Sequence, residues 1–357
     1  MKPNSVCIIG THGLYANHGG FETLVDNLVE NKKNDMRYII FASKISKKSL
    51  KTPSKVKVIR LPLSASGIQG VIYDFLCILI SLFYSRKLLL LGSQGMPLIT
   101  LLKIFLKLLV IVNLDGIETR RSSFSNLARL YLKLCYYCSY KSADKIILDN
   151  AYFTKITPKS VLHKAHIISY GSKIDNNLLD KEDLRIKYPF TNNDYFISMG
   201  RAIEDNNLYE LCKFFSVSQR NLVLISVLDK SDYGKKVLDE FKDCRNIFFI
   251  NGLFDRKLLD SIRKNSKGYI HTHSLCGTAP SLVEAICIGC PIASFDAPQN
   301  RSTLDEEGFY FDKFDSSLEY FVNLSDEDLL SYKSSQRLKE NYAWDKITTK
   351  YEDLFKT

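Results

Sequence analysis

Residues 269–296, YIHTHSLCGTAPSLVEAICIGCPIASFD, constrain the fold more than any other part of the chain. They read as strand, loop, helix, turn and strand, the unit that lays two parallel strands into one sheet. Tyr269–Thr272 is a short β-prone run, and Ser274–Gly277 is a polar, glycine-bearing turn. Thr278 occupies the expected N-cap position, and Pro280 lies near the first helical position, where its missing N–H costs nothing. Leu282, Val283, Ala285, Ile286 and Ile288 make an apolar helix. Gly289 can adopt the left-handed conformation after its last turn, Pro291 prevents continuation, and Ile292–Phe295 resumes as a buried strand. The helix start therefore presents the backbone of Gly277, Thr278, Ala279, Pro280 and Ser281, with a positive dipole end, beyond the preceding strand. That is a ready anion site. Glu284 is the sole acid on this helix, and local pattern alone leaves it either solvated or functional.

The rest of the chain repeats the same grammar. Ser5–Ile9 is a strand running into the glycine loop GTHGLYANHGG. A helix follows, with Phe21, Leu24, Val25, Leu28 and Val29 on one stripe. Strands at Arg37–Ala42, Val56–Leu61, Leu88–Leu91, Leu109–Leu114 and Lys145–Leu148 alternate with helices at Ile68–Tyr84, Pro97–Leu108 and Phe124–Tyr140. Val161–Tyr170 is also strand-like, and the polar stretch Gly171–Asn193 reads as a linker. The pattern then restarts with strands at Tyr195–Met199, Leu222–Val227 and Asn246–Ile250. The fold class is α/β: two doubly wound, Rossmann-like domains facing across a cleft, with ligands expected outside the carboxyl ends of the strands. The expected boundaries are 1–172, 173–340 and a C-terminal helix at 341–357.

A chain of 357 residues exceeds one ordinary core and suits two domains. Its nine cysteines are odd in number and several occupy apolar positions, so they read as reduced core residues of a cytoplasmic protein. Cys135/Cys138 and Cys287/Cys290 are too far apart in sequence for a zinc ribbon. Charge is asymmetric: residues 1–180 carry 25 Lys and Arg against 11 Asp and Glu, the remainder 24 against 28. The basic first half is drawn to something anionic. Without a nucleic-acid motif, a membrane surface or a phosphate-bearing lipid is the expected partner. Charges and turns interrupt the apolar region Val71–Val112 before it reaches the ~20 residues of a membrane span. Lys103 and Lys107, one turn apart on its second helix, suit either a monotopic membrane face with snorkelling lysines or a helix buried on most sides, and the favoured reading is a buried helix that touches the membrane at one edge. Met1–Ser5 leads directly into a strand, without a secretory signal pattern.

Two chemistries are disfavoured. The first loop does not spell G-x-G-x-x-G, and no acid follows the second strand to hold a ribose, which argues against NAD. The sole D-x-D, Asp326/Asp328, follows Ser325 at a helix start, where acids favour the dipole.

Four patches resemble glycosyltransferase family 4, retaining enzymes of the GT-B fold, and within it a bacterial rhamnosyltransferase-like branch. They are IIGTHGLYANHGGFETLVDNLVE at the start, NLDGIETRR at 113–121, MGRAIEDNN at 199–207, and GTAPSLVEA with FDAPQNR over 277–301. The closing WDKITTKYEDLF resembles the family's last helix, which crosses back to the first domain. The resemblance implies that the anion site takes the diphosphate of a nucleotide sugar and that Glu284 holds the nucleotide ribose. It implies a phosphate-binding role for Arg201, which would also stabilise the leaving group. The family's partner Lys falls on Asn206 and its sugar-binding Glu on Cys276, so sugar hydroxyls must be held differently. Gly19 and Gly20 let the first helix approach the donor closely. Asp115, Glu118, Arg120 and Arg121 lie where the acceptor should enter, with Thr119 in place of the family's Trp. Asp115 is a catalytic candidate, as is His12, which with His18 borders the expected cleft. Asn300 and Arg301 either line the cleft or cap a local turn.

The implied function is a metal-independent, retaining transferase with no cofactor beyond its nucleotide-sugar substrate. Transfer would proceed by front-face attack assisted by the donor's phosphate, with domain closure excluding water. The branch suggests L-rhamnose from dTDP-L-rhamnose. The basic first half suggests a polyprenyl-diphosphate-linked glycan acceptor at the inner membrane face, in O-antigen or capsule assembly. The alternative is a non-catalytic nucleotide-sugar-binding scaffold, motivated by Cys276 and Asn206.

Overall fold

The computed structural model describes residues 4–16, 19–33, 35–44, 52–114, 125–175 and 177–356. The chain divides into two compact units, Met1–Tyr170 with Trp344–Thr357, and Gly171–Ala343.

The first unit runs β1 (Ser5–Ile9), α1 (Gly20–Glu30), β2 (Arg37–Ala42), β3 (Val56–Arg60), α2 (Gly67–Ser81), β4 (Lys87–Leu91), α3 (Met96–Phe105), β5 (Leu109–Asn113), α4 (Asn126–Ser142), β6 (Lys145–Leu148) and β7 (Ala165–Ile167). Its seven strands lie in the order β3-β2-β1-β4-β5-β6-β7, all parallel. The short apolar runs SVCII, KLLLL and LVIVN are buried on both faces, as a covered parallel sheet requires. One face packs α1 through Leu24, Val25, Leu28 and Val29. The other packs α2, α3 and α4 through Tyr73, Cys77, Ile78, Met96, Ile99 and Cys138.

The second unit runs α5 (Lys181–Lys187), β8 (Tyr195–Met199), α6 (Leu208–Ser216), β9 (Asn221–Ser226), α7 (Asp232–Phe241), β10 (Ile247–Asn251), α8 (Arg256–Lys264), β11 (Gly268–His271), α9 (Pro280–Ile288), β12 (Ile292–Phe295), α10 (Pro298–Leu304), β13 (Phe309–Phe311), α11 (Ser316–Val322), α12 (Asp326–Leu330) and α13 (Gln336–Asn341). Its six strands lie in the order β10-β9-β8-β11-β12-β13, again all parallel.

The last helix, α14 (Trp344–Asp353), belongs to the first unit. Trp344, Ile347, Tyr351, Leu354 and Phe355 join the α1 face of its core. Lys87 and Lys145 donate to the carbonyls of Phe355 and Leu354, placing cations where the helix dipole is negative. Asn113 donates to the Tyr351 hydroxyl at 2.9 Å, tying α14 to the end of β5.

Three local expectations change. The stretch 171–193 is part of the second unit rather than a linker: α5 buries Leu184, and Ser172 N–H bonds the Tyr342 carbonyl at 2.8 Å. The polarity of that segment misled because α5 is amphipathic over only two turns. Val161–Tyr170 supplies only the three-residue β7, its earlier part forming a 3₁₀ turn over Lys159–Lys164. The N-cap of α9 is Ala279 rather than Thr278, with Pro280 as the first helical residue and Gly289 left-handed at φ 81°. Asp326 and Asp328 do sit in the first turn of α12, where the Ser325 hydroxyl accepts from the Asp328 N–H.

Candidate functional site

Each sheet reverses its order once. In the first unit β1 neighbours β4, and in the second β8 neighbours β11. At such a switch point the loops after the two strands diverge and leave a crevice at their carboxyl ends. In the second unit those loops carry Arg201 after β8 and His273–Ala279 after β11.

Arg201 is exposed, and Gly200 before it packs against the β11 loop. A Cβ on Gly200 would fall 2.6 Å from His273 Nε2, so only glycine lets the two loops meet there. Asn206 is buried and donates to the Arg201 carbonyl at 2.8 Å, while its own carbonyl accepts from Thr272 Oγ1. It therefore acts as a clamp beneath the Arg201 loop. His271 is fully buried and His273 nearly so, their rings 4.3 Å apart. Burial, joined by the nearby Arg201 charge, pushes the His273 pKa down to about 4, and burial also depresses His271. Both imidazoles are neutral at pH 7, so the positive charge at this edge belongs to Arg201. Asn300 is fully buried, donates to the carbonyls of His273 and Phe295, and accepts from the Cys276 thiol at 3.4 Å. Arg301 forms the local turn: it pairs with Asp296 and Glu306 and stacks over Tyr310 at 4.1 Å.

Glu284 is neither solvated nor isolated. One oxygen accepts from Arg256 at 2.9 Å and the other from Arg263 at 2.5 Å. Asp260, buried, binds both arginines at 3.1 Å. Arg263 is completely buried, and these carboxylates are what keep its charge tolerable there. Arg256 reaches on to Ser172 Oγ and the Lys173 carbonyl, fixing the first residues of the unit. The ribose role expected of Glu284 thus falls on a carboxylate whose two oxygens already each hold an arginine. Sequence reading missed the network because Arg256 and Arg263 look like the polar face of a surface helix. The i, i+4 and i+3 spacings to Asp260 were the available signal.

In the first unit, Gly10 turns the chain after β1 at φ 91°, and a Cβ there would lie 2.1 Å from the Leu91 carbonyl. Glu22, buried in the first turn of α1, accepts from Thr11 Oγ1 at 2.9 Å and the His12 N–H at 2.8 Å. Sequence reading overlooked it. His12 is buried rather than an exposed loop residue, with its ring nitrogens 2.9 Å from Ser43 Oγ and 2.9 Å from Ser66 Oγ. The loop folds inward because Glu22 draws its backbone against α1. Gly19 is the extended N-cap of α1, and a Cβ on Gly20 would lie 3.1 Å from the Tyr170 hydroxyl. Asp115, Glu118, Thr119, Arg120, Arg121 and His18 lie outside the described residues.

Helices α2, α3 and α4 cover one face of the first sheet and leave large apolar side chains in solvent. Ile68, Ile72 and Leu79 on α2, Leu101, Ile104 and Phe105 on α3, and Leu127, Leu130 and Tyr137 on α4 are all exposed. Lys103 is not a snorkelling residue: it pairs with Asp144 at 2.7 Å. Among the described residues no helix is long and apolar enough to cross a membrane. A cavity of about 270 Å³ in the second unit, lined by Asn193, Arg220, Lys267 and Asp326, opens at the opposite, amino ends of its strands.

Comparison with known proteins fixes the fold class. Residues 3–173 match the family described as "Domain of unknown function (DUF1972)". Sucrose-phosphate synthase from Thermosynechococcus elongatus superposes with a TM-score of 0.78 at 14% identity, covering 99% of this chain and 98% of that one. The trehalose-6-phosphate synthase OtsA gives 0.75 at 11% identity, covering 99% of each chain. HepE from Anabaena in complex with UDP-glucose gives 0.73 at 12%, also covering 99% of each. The chain has the two-domain α/β fold of these GT-B glycosyltransferases. In sequence it is similar to the GtfA subunit of the UDP-N-acetylglucosamine–peptide N-acetylglucosaminyltransferase of Streptococcus parasanguinis, 23% identical over 245 residues. That match covers 61% of this chain and 47% of the relative, so the chain spans about half the length of the curated protein it matches.

Proposed function

We propose that this chain is a glycosyltransferase using a nucleotide sugar, with the donor diphosphate held at the β8/β11 switch point of the second unit. The observation that carries this reading is topological: exposed Arg201 follows β8, and the loop into the start of α9 (Gly277, Thr278, Ala279, Pro280, Ser281) follows β11, its neighbour at the switch point. In this reading Arg201 and the backbone N–H groups at the start of α9 take the charge that develops on the departing diphosphate, in a metal-independent transfer. The similarity to a glycosyltransferase subunit and a fold shared with a UDP-glucose complex support the same substrate class.

The finer reading is transfer of L-rhamnose from dTDP-L-rhamnose to a polyprenyl-diphosphate-linked glycan in O-antigen or capsule assembly. It rests on the resemblance of the four sequence patches. Peripheral attachment to the inner membrane face is supported by the apolar surface of α2, α3 and α4 on the strongly basic half of the chain. Asp115, Glu118, Arg120 and Arg121 are proposed for the acceptor. The second reading, a nucleotide-sugar-binding scaffold, is favoured by the pairing of both Glu284 oxygens with arginines and by Cys276.

Thermal shift with UDP, dTDP, GDP and NAD in EDTA, followed by turnover of UDP-glucose and dTDP-rhamnose, tests these readings. Ligand at 100 times its Kd stabilises by about 2.7 kcal/mol. Release of nucleoside diphosphate by the wild type, lost in Arg201→Ala, supports the transferase. Binding without release supports the scaffold, and a shift with NAD alone overturns both.

A further inference from the structure

Three donor atoms of different chemistry converge beside the β8/β11 switch point. His271 closes β11, His273 follows two residues on, and Cys276 lies in the loop toward α9. One ring nitrogen from each histidine and the Cys276 sulfur all lie within 4.8 Å of one another. The two Nε2 atoms are buried and have no hydrogen-bond partner among the described residues. Buried nitrogens left unpaired are costly and call for a partner. His271 is wholly buried and His273 is 8% exposed.

We propose that His271, His273 and Cys276 form a binding site for one thiophilic divalent metal ion, with Zn²⁺ the fitting class. Two imidazoles and a thiolate match the ligand preferences of zinc, whereas Mg²⁺ and Ca²⁺ require oxygen donors. On binding, each imidazole gives its Nε2 lone pair to the metal. The Cys276 thiol loses its proton to the buffer and gives a thiolate lone pair. His271 keeps its own proton on Nδ1, which faces the Tyr269 hydroxyl at 3.4 Å, an outer contact that would fix the tautomer. With metal–nitrogen bonds of about 2.0–2.1 Å and a metal–sulfur bond of about 2.3 Å, the donors must draw together by up to roughly 1.5 Å. His273 and Cys276 lie on loop rather than strand, and Cys276 is only half-buried, so the closure falls on the adjustable members. The fourth position is left to water. The ion would set the loop entering α9, and its binding can be read without any sugar donor, so the test is independent of the nucleotide-sugar reading.

Cobalt titration of the metal-stripped full chain is the test, because a thiolate on Co²⁺ gives a charge-transfer absorption that imidazoles alone do not. The expected result is one equivalent bound with that band, displaced by Zn²⁺ and unaffected by Mg²⁺. Cys276→Ser should abolish the band and weaken binding at least tenfold. This near-isosteric change at a half-buried position should leave the metal-free melting temperature within a degree or two. His273→Gln should weaken binding comparably while keeping the thiol. Zn²⁺ should also raise the melting temperature of the wild type, saturating at one equivalent, and leave that of Cys276→Ser unmoved. Absence of a thiolate band, or equal binding by wild type and Cys276→Ser, would overturn the site and leave two packed, neutral histidines.

Discussion

Replacing Glu284 by Gln separates a structural carboxylate from a ligand-binding one. Glu284 holds Arg256 and Arg263 on its two oxygens, and Arg263 is completely buried. Removing one partner of a buried ion pair costs about 3–5 kcal/mol, mostly the penalty of leaving the other charge uncompensated. Here Asp260 still pairs with Arg263 at 3.1 Å, and the glutamine oxygen can still accept one N–H, which argues for the lower end. Arg256 is 37% exposed, so its lost pair adds at most about 1 kcal/mol. The expected loss is therefore about 3 kcal/mol. A unit of this size shifts by roughly 2–4 °C per kcal/mol, placing the fall at about 6–12 °C.

Scanning calorimetry of the ligand-free full chain is the suitable assay, since the single tryptophan, Trp344, lies in the first unit and is blind to this change. A double-mutant cycle with Arg263→Met should give a coupling above about 1 kcal/mol, because the two side chains share one network. A ligand-free melting temperature within about 2 °C of wild type, combined with weakened nucleotide binding, would refute the reasoning. Glu284 would then be a ribose ligand with little structural duty.

Stability should also fall as pH rises from about 4 to about 8, through Asp74 on α2, whose pKa is lifted to about 8 by burial. The folded state keeps a proton that the unfolded chain releases near its ordinary value of about 3.9, so that contribution is present at low pH and lost through the folded pKa. Asp26, lifted to about 6, adds to the lower part of that window, and Asp74→Asn should flatten the remainder in urea melts across pH. Gly10→Ala should destabilise the first unit by more than about 2 kcal/mol, since its φ is 91° and the new methyl meets the Leu91 carbonyl; Trp344 fluorescence in denaturant would show it. Phe105→Asp, at a side chain 84% exposed, should leave stability unchanged and lower partitioning onto anionic vesicles at least about tenfold; unchanged sedimentation would count against membrane docking through α3.

The fold was legible in the sequence for a reason visible in its strands. Runs such as KLLLL and LVIVN have no polar face, which only a doubly covered parallel sheet accepts, and glycine or proline stands at the starts of α1, α2 and α3. Boundaries slipped where the cue was a single polar residue. Thr278 has the chemistry of an N-cap, but Pro280 takes the first helical position and hands the cap to Ala279. The site was legible only in outline. Exposed groups at strand ends, Arg201 above all, follow from topology. Whether a polar side chain faces solvent or the interior depends on partners far away in sequence, and that is where reading failed. His12 meets Ser43 and Ser66, and Glu284 meets Arg256 and Arg263, none of them within a turn of helix.

These inward-turned groups say something about how the second unit would handle a donor. Asn206, Asn300 and Glu284 are each committed to backbone or arginine partners, and His271 and His273 are neutral. At this edge Arg201 is exposed after β8 and the start of α9 follows β11, and both are suited to phosphate rather than to sugar hydroxyls. Affinity for the diphosphate and discrimination among sugars should therefore separate. Arg201→Ala should weaken UDP, dTDP and their sugar conjugates by similar factors, because the arginine meets only what they share. A loss confined to one sugar conjugate would place Arg201 on the sugar, and the division of labour argued from the buried partners would be wrong.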